Sequence, residues 1–354
     1  MMENGLNTPL PPLLRGNKYF PKISILIPVR NEEKTIRGCL DRILTNGYPV
    51  EHLEIWVIDG ESFDQTRSIV AEMQRHYGQI HLLENPKRLP YTALNIGLKS
   101  ATGEIVMRVD ARSFIPEHYI ETLWETMVET SATNVGGLQV PITEGSVIKR
   151  AIALATVSIF GTGGAAFRTA KKSGFVDTVY LGFFRREIFD RVGLYDEDGE
   201  FISEDSMMNR RILNAGGKIY LNADLSVLYH GKDSFRELAR QYLIYGAAKC
   251  HSFLTYKQLT SWRQMIPLAA IGAFNLNLIL ALFIPFFLCT LIIGLLIYLI
   301  VDFTASTYVA VKNQEIKLFP VLLFVFPVIH FSWPNGFFGY FLMRNKFGQI
   351  LKRS

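Results

Sequence analysis

The run Ile23-Ser24-Ile25-Leu26-Ile27-Pro28-Val29-Arg30-Asn31 decides the fold class of this chain. It starts as a short β-rich stretch and ends on a polar pair, and a helical pattern follows over about 32–44. The unit recurs in outline. Glu54 to Asp59 reads as a strand, Gln65 to Tyr77 as a helix, Ile80 to Leu83 as a strand, Thr92 to Ser100 as a helix and Glu104 to Asp110 as a strand. Strands and helices in this order predict an α/β, Rossmann-like, mostly parallel sheet flanked by helices and joined by right-handed crossovers.

In such sheets ligands gather beyond the carboxyl ends of the strands. Arg30-Asn31, Asp59 and Asp110 stand at three of those ends. No G-x-G-x-x-G follows the first strand, which removes the main support for a dinucleotide cofactor. Further on, Ser203-Glu204-Asp205 precedes an amphipathic run. An acidic pair there serves either the helix dipole or a reaction. Two separated acidic sites on one scaffold suggest a divided task, in which one holds a diphosphate leaving group and the other takes a proton from an attacking hydroxyl. That is the chemistry of an inverting sugar transferase.

The chain has 354 residues, 49% of them hydrophobic and 19% charged. These averages cover two unlike parts. Up to about Arg263 charged and apolar segments alternate as in a soluble domain, and the length suffices for a substantial core. Between Met265 and Val311, apart from Cys289 and the tyrosines, Asp302 is the only ionisable side chain. Pro285 divides this stretch into candidate spans over about 267–284 and 286–308. A third apolar segment, 318–343, contains Pro327, His330, Pro334 and Asn335 and reads as re-entrant or spanning. The expected organisation is an N-terminal extension over 1–20, a catalytic domain over 21–250 and a membrane region over 251–354. No hydrophobic signal core occupies the first twenty residues, so the large domain is expected in the cytoplasm, anchored to the inner or plasma membrane. Lys312 and Lys317, then Arg344, Lys346, Lys352 and Arg353, fit a two-span hairpin with its basic loops inside.

Three widely spaced cysteines, Cys39, Cys250 and Cys289, suggest neither a disulfide framework nor a metal site. The net charge of +5 suits an anionic membrane surface and a phosphate-bearing substrate. Nucleic acid is not an expected partner, since no Lys/Arg-rich tract or zinc-finger spacing is present.

Taken together, Ser24 to Glu32, Val57-Ile58-Asp59-Gly60-Glu61-Ser62-Phe63-Asp64-Gln65-Thr66, Leu94-Asn95-Ile96-Gly97 with Ala101-Thr102-Gly103-Glu104, Asp110-Ala111-Arg112 and Ser203-Glu204-Asp205 resemble the GT-A-fold glycosyltransferases of family 2. The resemblance covers roughly residues 20–250. With the C-terminal apolar segments, it is nearest to the membrane-anchored exopolysaccharide glycosyltransferases of the succinoglycan-synthesis type.

The resemblance implies roles for particular residues. Pro28, Arg30 and Glu32 would shape the nucleotide pocket, and Asp59 would accept from the nucleobase, in a uridine donor from its imide N–H. A turn cap before Gly60 is the competing role for Asp59. Lys87 and Arg88 would approach the diphosphate or sit in a solvated loop, and Asn95 would lie at the donor or brace its loop. Asp205 would be the general base, with Glu204 orienting it or binding the acceptor. Arg240, Gln241 and Tyr242, with Arg236, would be acceptor-side residues on a helix over about 234–249. They stand where processive synthases carry Gln-x-x-Arg-Trp without reproducing it, which points to one sugar per encounter.

The departure from the family pattern is Arg112, where relatives carry a second Asp or a His. Arginine stays protonated and cannot ligate a metal. Two arrangements follow: Asp110, helped by His230, holds Mn²⁺ or Mg²⁺ through the diphosphate, or Arg112 itself neutralises the diphosphate and the cation is only partly required. The segment Val147 to Phe167 reads either as a core helix and turn or as a mobile acceptor-side element, with Arg168, Lys171 and Lys172 meeting an anionic lipid head.

The expected activity is inverting transfer of a hexose from a nucleotide sugar, UDP-linked, to a polyprenyl-diphosphate-linked saccharide in exopolysaccharide or cell-surface glycan synthesis. The alternatives are a polyprenyl-phosphate sugar transferase and an inactive membrane scaffold.

Overall fold

The computed structural model describes residues 19–197, 203–257, 265–344 and 346–347. Most of the expected N-terminal extension, together with Lys352 and Arg353, lies outside the described residues. In chain order the elements are β1 (Ile23–Val29), α1 (Ile36–Leu44), β2 (Leu53–Asp59), α2 (Thr66–His76), β3 (Ile80–Glu84), α3 (Pro90–Ser100), β4 (Ile105–Arg108), β5 (Ser113–Phe114), α4 (Tyr119–Thr130) and β6 (Asn134–Pro141). There follow α5 (Val147–Thr156), α6 (Ile159–Thr162), α7 (Ala166–Thr169), β7 (Gly174–Phe175), β8 (Tyr180–Arg185), α8 (Glu187–Val192), α9 (Glu204–Asn214) and β9 (Ile219–Tyr229). The chain ends in α10 (Phe235–Tyr256), α11 (Met265–Ala281), α12 (Pro285–Lys312) and α13 (Phe319–Met343).

Two compact units are present. The first contains the described residues up to Val140, those from Ala166 to Glu197, and Glu204–His230; the second contains 141–165 and the residues from Gly231 onward. Helices α5, α6 and α10 belong to the same unit as the apolar helices.

The first unit is built on one mixed sheet with strand order β3-β2-β1-β4-β8-β6-β9-β5, and β7 pairs with β9. Its first half is parallel as expected, with Val29 opposite Asp59 and Leu26 opposite Arg108. From β4 onward the sheet turns antiparallel, pairing β4 with β8, β8 with β6, and β9 with both β5 and β7. The parallel strands are apolar on both faces because helices cover both. Helix α1 buries Ile36, Cys39, Leu40 and Ile43, the i, i+3, i+4, i+7 stripe of a core-facing helix. Helix α3 comes closest to the sheet at Gly97, where an added Cβ would lie 2.8 Å from the Leu26 side chain.

In the second unit α5, α10, α12 and α13 share an apolar core that includes Ala151, Ile152, Leu238, Leu322 and Phe326. Helices α10 and α13 meet backbone to backbone: a Cβ on Gly246 would lie 1.9 Å from the Trp333 carbonyl, and one on Gly336 would lie 2.1 Å from that of Leu243. The third apolar segment, expected to be re-entrant or spanning, forms one continuous helix with Pro327 and Pro334 inside α13. Neighbouring helices and side chains can meet the backbone groups that such prolines release. Pro285–Lys312 and Ile316–Met343 are long and apolar enough to cross a bilayer, whereas Met265–Ala281 is shorter.

Candidate active site

The loops after β1, β2 and β3 each contain one non-glycine residue in the left-handed region: Asn31 at φ 56°, Glu61 at φ 55° and Arg88 at φ 59°. Such backbone costs about 1 kcal/mol or more per residue and persists only where surrounding contacts enforce it. Here they do. The Asn31 N–H donates to Ser62 Oγ at 2.8 Å, the Phe63 N–H to Asn31 Oδ1 at 3.0 Å and the Gln65 N–H to Glu33 Oε2 at 3.0 Å. The Arg88 guanidinium binds the Glu61 carboxylate. The rim of the parallel half is thus laced together at its carboxyl end.

Asp59 closes β2 on this rim and is 1% exposed. Its Oδ2 accepts from the Ser62 N–H at 3.0 Å, which is the turn-capping contact. Its Oδ1 is buried without a partner among the described residues. A buried carboxylate oxygen without a donor is costly unless a ligand supplies one. Pro28, half-buried, lies opposite Ile58 in the β1–β2 register, next to the Val29–Asp59 pair.

The cations expected at the diphosphate already have carboxylate partners. Lys87 Nζ lies 2.6 Å from Glu197 Oε2, Arg88 pairs with Glu61, and Arg112 Nε donates to both oxygens of Glu32 at 2.8 and 2.9 Å. Glu32 is therefore the counter-ion of Arg112. Arg30 is exposed and has no hydrogen bond or ion pair among the described residues, which leaves its charge available on the same rim.

Asp110, Glu204 and Asp205 converge on one guanidinium. Arg108, the last residue of β4, lies with Nε 2.9 Å from Asp110 Oδ1 and Nη1 3.0 Å from Glu204 Oε1 and 2.6 Å from Asp205 Oδ1. In the sequence Arg108 stands out only as a single charge at the end of an otherwise apolar strand, a rare placement for an unpaired arginine. Glu204 and Asp205 occupy the first turn of α9, where the helix dipole favours negative charge. Even so, the Asp205 carboxyl is pushed up to about 7: removal from water raises it most, the Arg108 guanidinium pulls it down, and the nearby charges of Glu204 and Asp110 raise it further. An acid held near neutrality is suited to exchanging a proton at physiological pH.

The β5–β9 pairing sets Ser113 opposite Tyr229 and so brings His230 to the Asp110-Ala111-Arg112 segment. The His230 N–H donates to the Arg112 carbonyl at 3.1 Å, and its ring meets Phe114 edge-on at 5.3 Å. Among the described residues no three His, Cys, Asp or Glu side chains gather as a metal cage.

Asn95, expected at the donor, is 3% exposed and spends its amide on the chain before α9. Its Nδ2 donates to the Tyr195 carbonyl and to Glu197 Oε1, both at 2.8 Å, and its Oδ1 accepts from the Tyr195 N–H at 2.8 Å. It is a brace. Arg240, Gln241 and Tyr242 belong to α10 in the second unit. Tyr242 is 6% exposed within the apolar core there, Gln241 Nε2 donates to Tyr245 Oη at 2.7 Å, and Arg240 is exposed. The 147–156 part of the suspected acceptor element is a core helix of the same unit, tied by an Arg150–Glu315 ion pair. His330 Nε2 donates to the Phe160 carbonyl at 2.7 Å, which leaves Nδ1 to accept from Tyr298 Oη at 3.1 Å.

The pattern described as "Glycosyl transferase family 2" matches residues 24–193. A dolichyl N-acetyl-α-D-glucosaminyl phosphate 3-β-D-2,3-diacetamido-2,3-dideoxy-β-D-glucuronosyltransferase of Methanococcus voltae is 29% identical over 89% of this chain and 96% of its own length. The succinoglycan biosynthesis protein ExoA of Rhizobium meliloti is 29% identical over 69% of this chain and 74% of its own. Among solved structures, the mannosyltransferase PcManGT of Pyrobaculum calidifontis, in complex with GDP-Man and Mn²⁺, superposes with a TM-score of 0.58 at 18% identity, covering 92% of this chain and 88% of that one. That last likeness concerns the fold. Rim loops, mixed sheet and family match agree: the chain carries a glycosyltransferase family 2 domain on a GT-A fold.

Proposed function

We propose that this protein is a membrane-anchored, inverting hexosyltransferase that moves a sugar from a nucleotide donor, UDP-linked, to a polyprenyl-diphosphate-linked saccharide in exopolysaccharide or cell-surface glycan synthesis. Its catalytic unit faces the cytoplasm. The observation that supports this reading best is the Arg108 guanidinium, which gathers Asp205 and the donor-motif carboxylate of Asp110 into one cluster. The names of the two relatives, one acting on a dolichyl-phosphate-linked sugar and one in succinoglycan synthesis, support a lipid-linked acceptor. Two helices long enough to cross a bilayer support a membrane site of action.

In this reading the unpartnered Asp59 Oδ1 accepts the nucleobase N–H, and Arg30 meets donor phosphate or ribose oxygens. Asp205 takes the acceptor hydroxyl proton as that oxygen bonds to the anomeric carbon. The bond from that carbon to the diphosphate oxygen breaks, and its electron pair leaves with the nucleotide diphosphate. Attack from the face opposite the nucleotide inverts the anomeric configuration.

A divalent cation, Mn²⁺ or Mg²⁺, neutralises a departing diphosphate when one is bound. Asp110, 35% exposed at its side chain, fits as a single protein carboxylate for such an ion. With no protein cage of three such ligands among the described residues, the other ligands would be diphosphate and water oxygens, a common arrangement for Mg²⁺.

The test is a transfer assay on purified protein in detergent, with UDP- and GDP-linked hexoses against lipid-diphosphate saccharides and bare polyprenyl phosphate. Product on the saccharide supports the proposal, and product on polyprenyl phosphate alone reassigns the acceptor. No transfer from any donor removes it. In parallel, Asp59→Asn should weaken nucleoside-diphosphate binding by about 10- to 100-fold in calorimetry, since an amide nitrogen there cannot accept.

A further inference from the structure

Arg108 lies on a central strand, between β1 on one side and β8 on the other. Its side chain is 11% exposed, and a charge so placed is stabilised only by close partners. It has three, and they come from distant parts of the chain: Asp110 is two residues away, whereas Glu204 and Asp205 are 96 and 97 residues away. The guanidinium is planar and presents its N–H groups in a fixed fork, so its contacts set directions as well as distances. Asp205 stands at the start of α9, and the chain before that helix is held through Tyr195 and Glu197 by Asn95. Arg108 ties the helix start itself to the sheet.

With all three carboxylates ionised, the cluster around the one cation carries a net negative charge of two, and the guanidinium between them offsets their mutual repulsion. Remove the guanidinium and their mutual repulsion acts between Asp110 on the sheet side and the first turn of α9. An ammonium at the same position would keep the charge without the fork and could not face all three groups at once.

We propose that Arg108 is a positioning residue of the transfer reaction, holding the Asp205 base and the donor-side Asp110 at a fixed separation on one rigid guanidinium. This rests on the transferase reading above. Arg108 acts by setting where Asp205 stands relative to Asp110, so its loss appears first in turnover, while nucleotide binding through Asp59 and Arg30 is retained.

The experiment is steady-state kinetics on the full chain in detergent, for Arg108→Lys and Arg108→Met, each alone and combined with Asp205→Asn. We expect Arg108→Lys to lower kcat about 10-fold and Arg108→Met about 10²- to 10³-fold, with donor KM within about threefold of the unaltered protein. In the Asp205→Asn background, Arg108→Lys should cost less than about twofold more, because the group it acts through is already disabled. Unchanged kcat in Arg108→Lys, or losses that add fully in the double variant, would overturn the assignment. Should Arg108→Met fail to fold, Arg108→Lys and the double variant decide the matter. If the unaltered protein transfers no sugar, the parent reading falls and this assignment with it. If it transfers and Arg108→Lys equals it, only the role of Arg108 falls.

Discussion

Asn95 holds the Tyr195 backbone by both its polar groups, donating to its carbonyl and accepting from its N–H, each at 2.8 Å. The third contact, to Glu197 Oε1, also helps to hold that carboxyl below the usual range, with Lys87 as the next contributor. Asn95→Ala would leave the Tyr195 groups without their buried partner, at a cost of about 2–3 kcal/mol. The expected result is a clear fall in the thermal unfolding midpoint and in kcat, since the chain leading to Asp205 is loosened. Nucleoside-diphosphate affinity should remain within about threefold, because both amide hydrogens are already spent on Tyr195 and Glu197. A calorimetric loss of tenfold or more in a folded variant would return Asn95 to the donor pocket.

The raised Asp205 carboxyl gives a pH dependence with a definite sign. A general base works ionised, so kcat/KM should rise with pH through about 7 and level off above it. Stability runs the other way at this group. Between the unfolded value of 3.8 and about 7 the folded chain binds more proton than the unfolded one, so the contribution of Asp205 to stability declines as pH rises across that window. Asp205→Asn should erase the rising limb and lower kcat by about 10²- to 10⁴-fold. A rising limb that persists unchanged in that variant would assign the titration to another group.

The parallel half of the sheet was legible because β1 to β4 are short apolar runs, the first three each followed by turn chemistry and a helical pattern. The antiparallel half was not. Strands β5 and β7 have two residues each, and β6 contains Gly136-Gly137, which interrupts a strand pattern. Gly137 is needed there because a Cβ would lie 2.5 Å from the Leu225 carbonyl, a contact across the sheet that local pattern cannot reveal. The motif residues Asp59, Asp110 and Asp205 could be named in advance, since strand ends and helix starts are local features. Their joining through Arg108, and the withdrawal of Asn95 and Tyr242 into braced or apolar surroundings, depend on long-range packing. The continuity of α13 was hidden for the same reason: its prolines break a helix by local rules.

The crossing of α10 and α13 supports a contrast between two glycines. A Cβ at Gly336 would meet the Leu243 carbonyl at 2.1 Å, whereas one at Gly294 would meet nothing within 4 Å. Gly336→Ala must push the two helices apart, and overpacking of this kind costs about 1–3 kcal/mol. Gly294→Ala keeps the packing and removes the backbone freedom of a mid-helix glycine. Thermal unfolding in detergent should show a clear loss for the first and no loss for the second. Equal midpoints would mean that the helices can separate at this crossing without penalty.

The pair Arg112–Glu32 decides how much fixed charge the donor's diphosphate can find. Arg112 Nε donates to both oxygens of Glu32, so in the unliganded protein its charge is shared with a carboxylate. A departing diphosphate must be met by a metal ion or by fixed cations. If Arg112 supplies part of that charge, some transfer should survive chelation, and Glu32→Gln should increase the surviving fraction by lifting one carboxylate charge from the guanidinium. Arg112→Asp should abolish chelator-resistant transfer, because it removes the cation and adds an oxygen ligand beside Asp110. The measurement is transfer rate against free Mn²⁺ or Mg²⁺ for the three proteins, with chelator at the low end. Should the unaltered protein and both variants give one common curve that falls to zero without metal, Arg112 is only the structural partner of Glu32, and Asp110 with the diphosphate must hold the ion unaided.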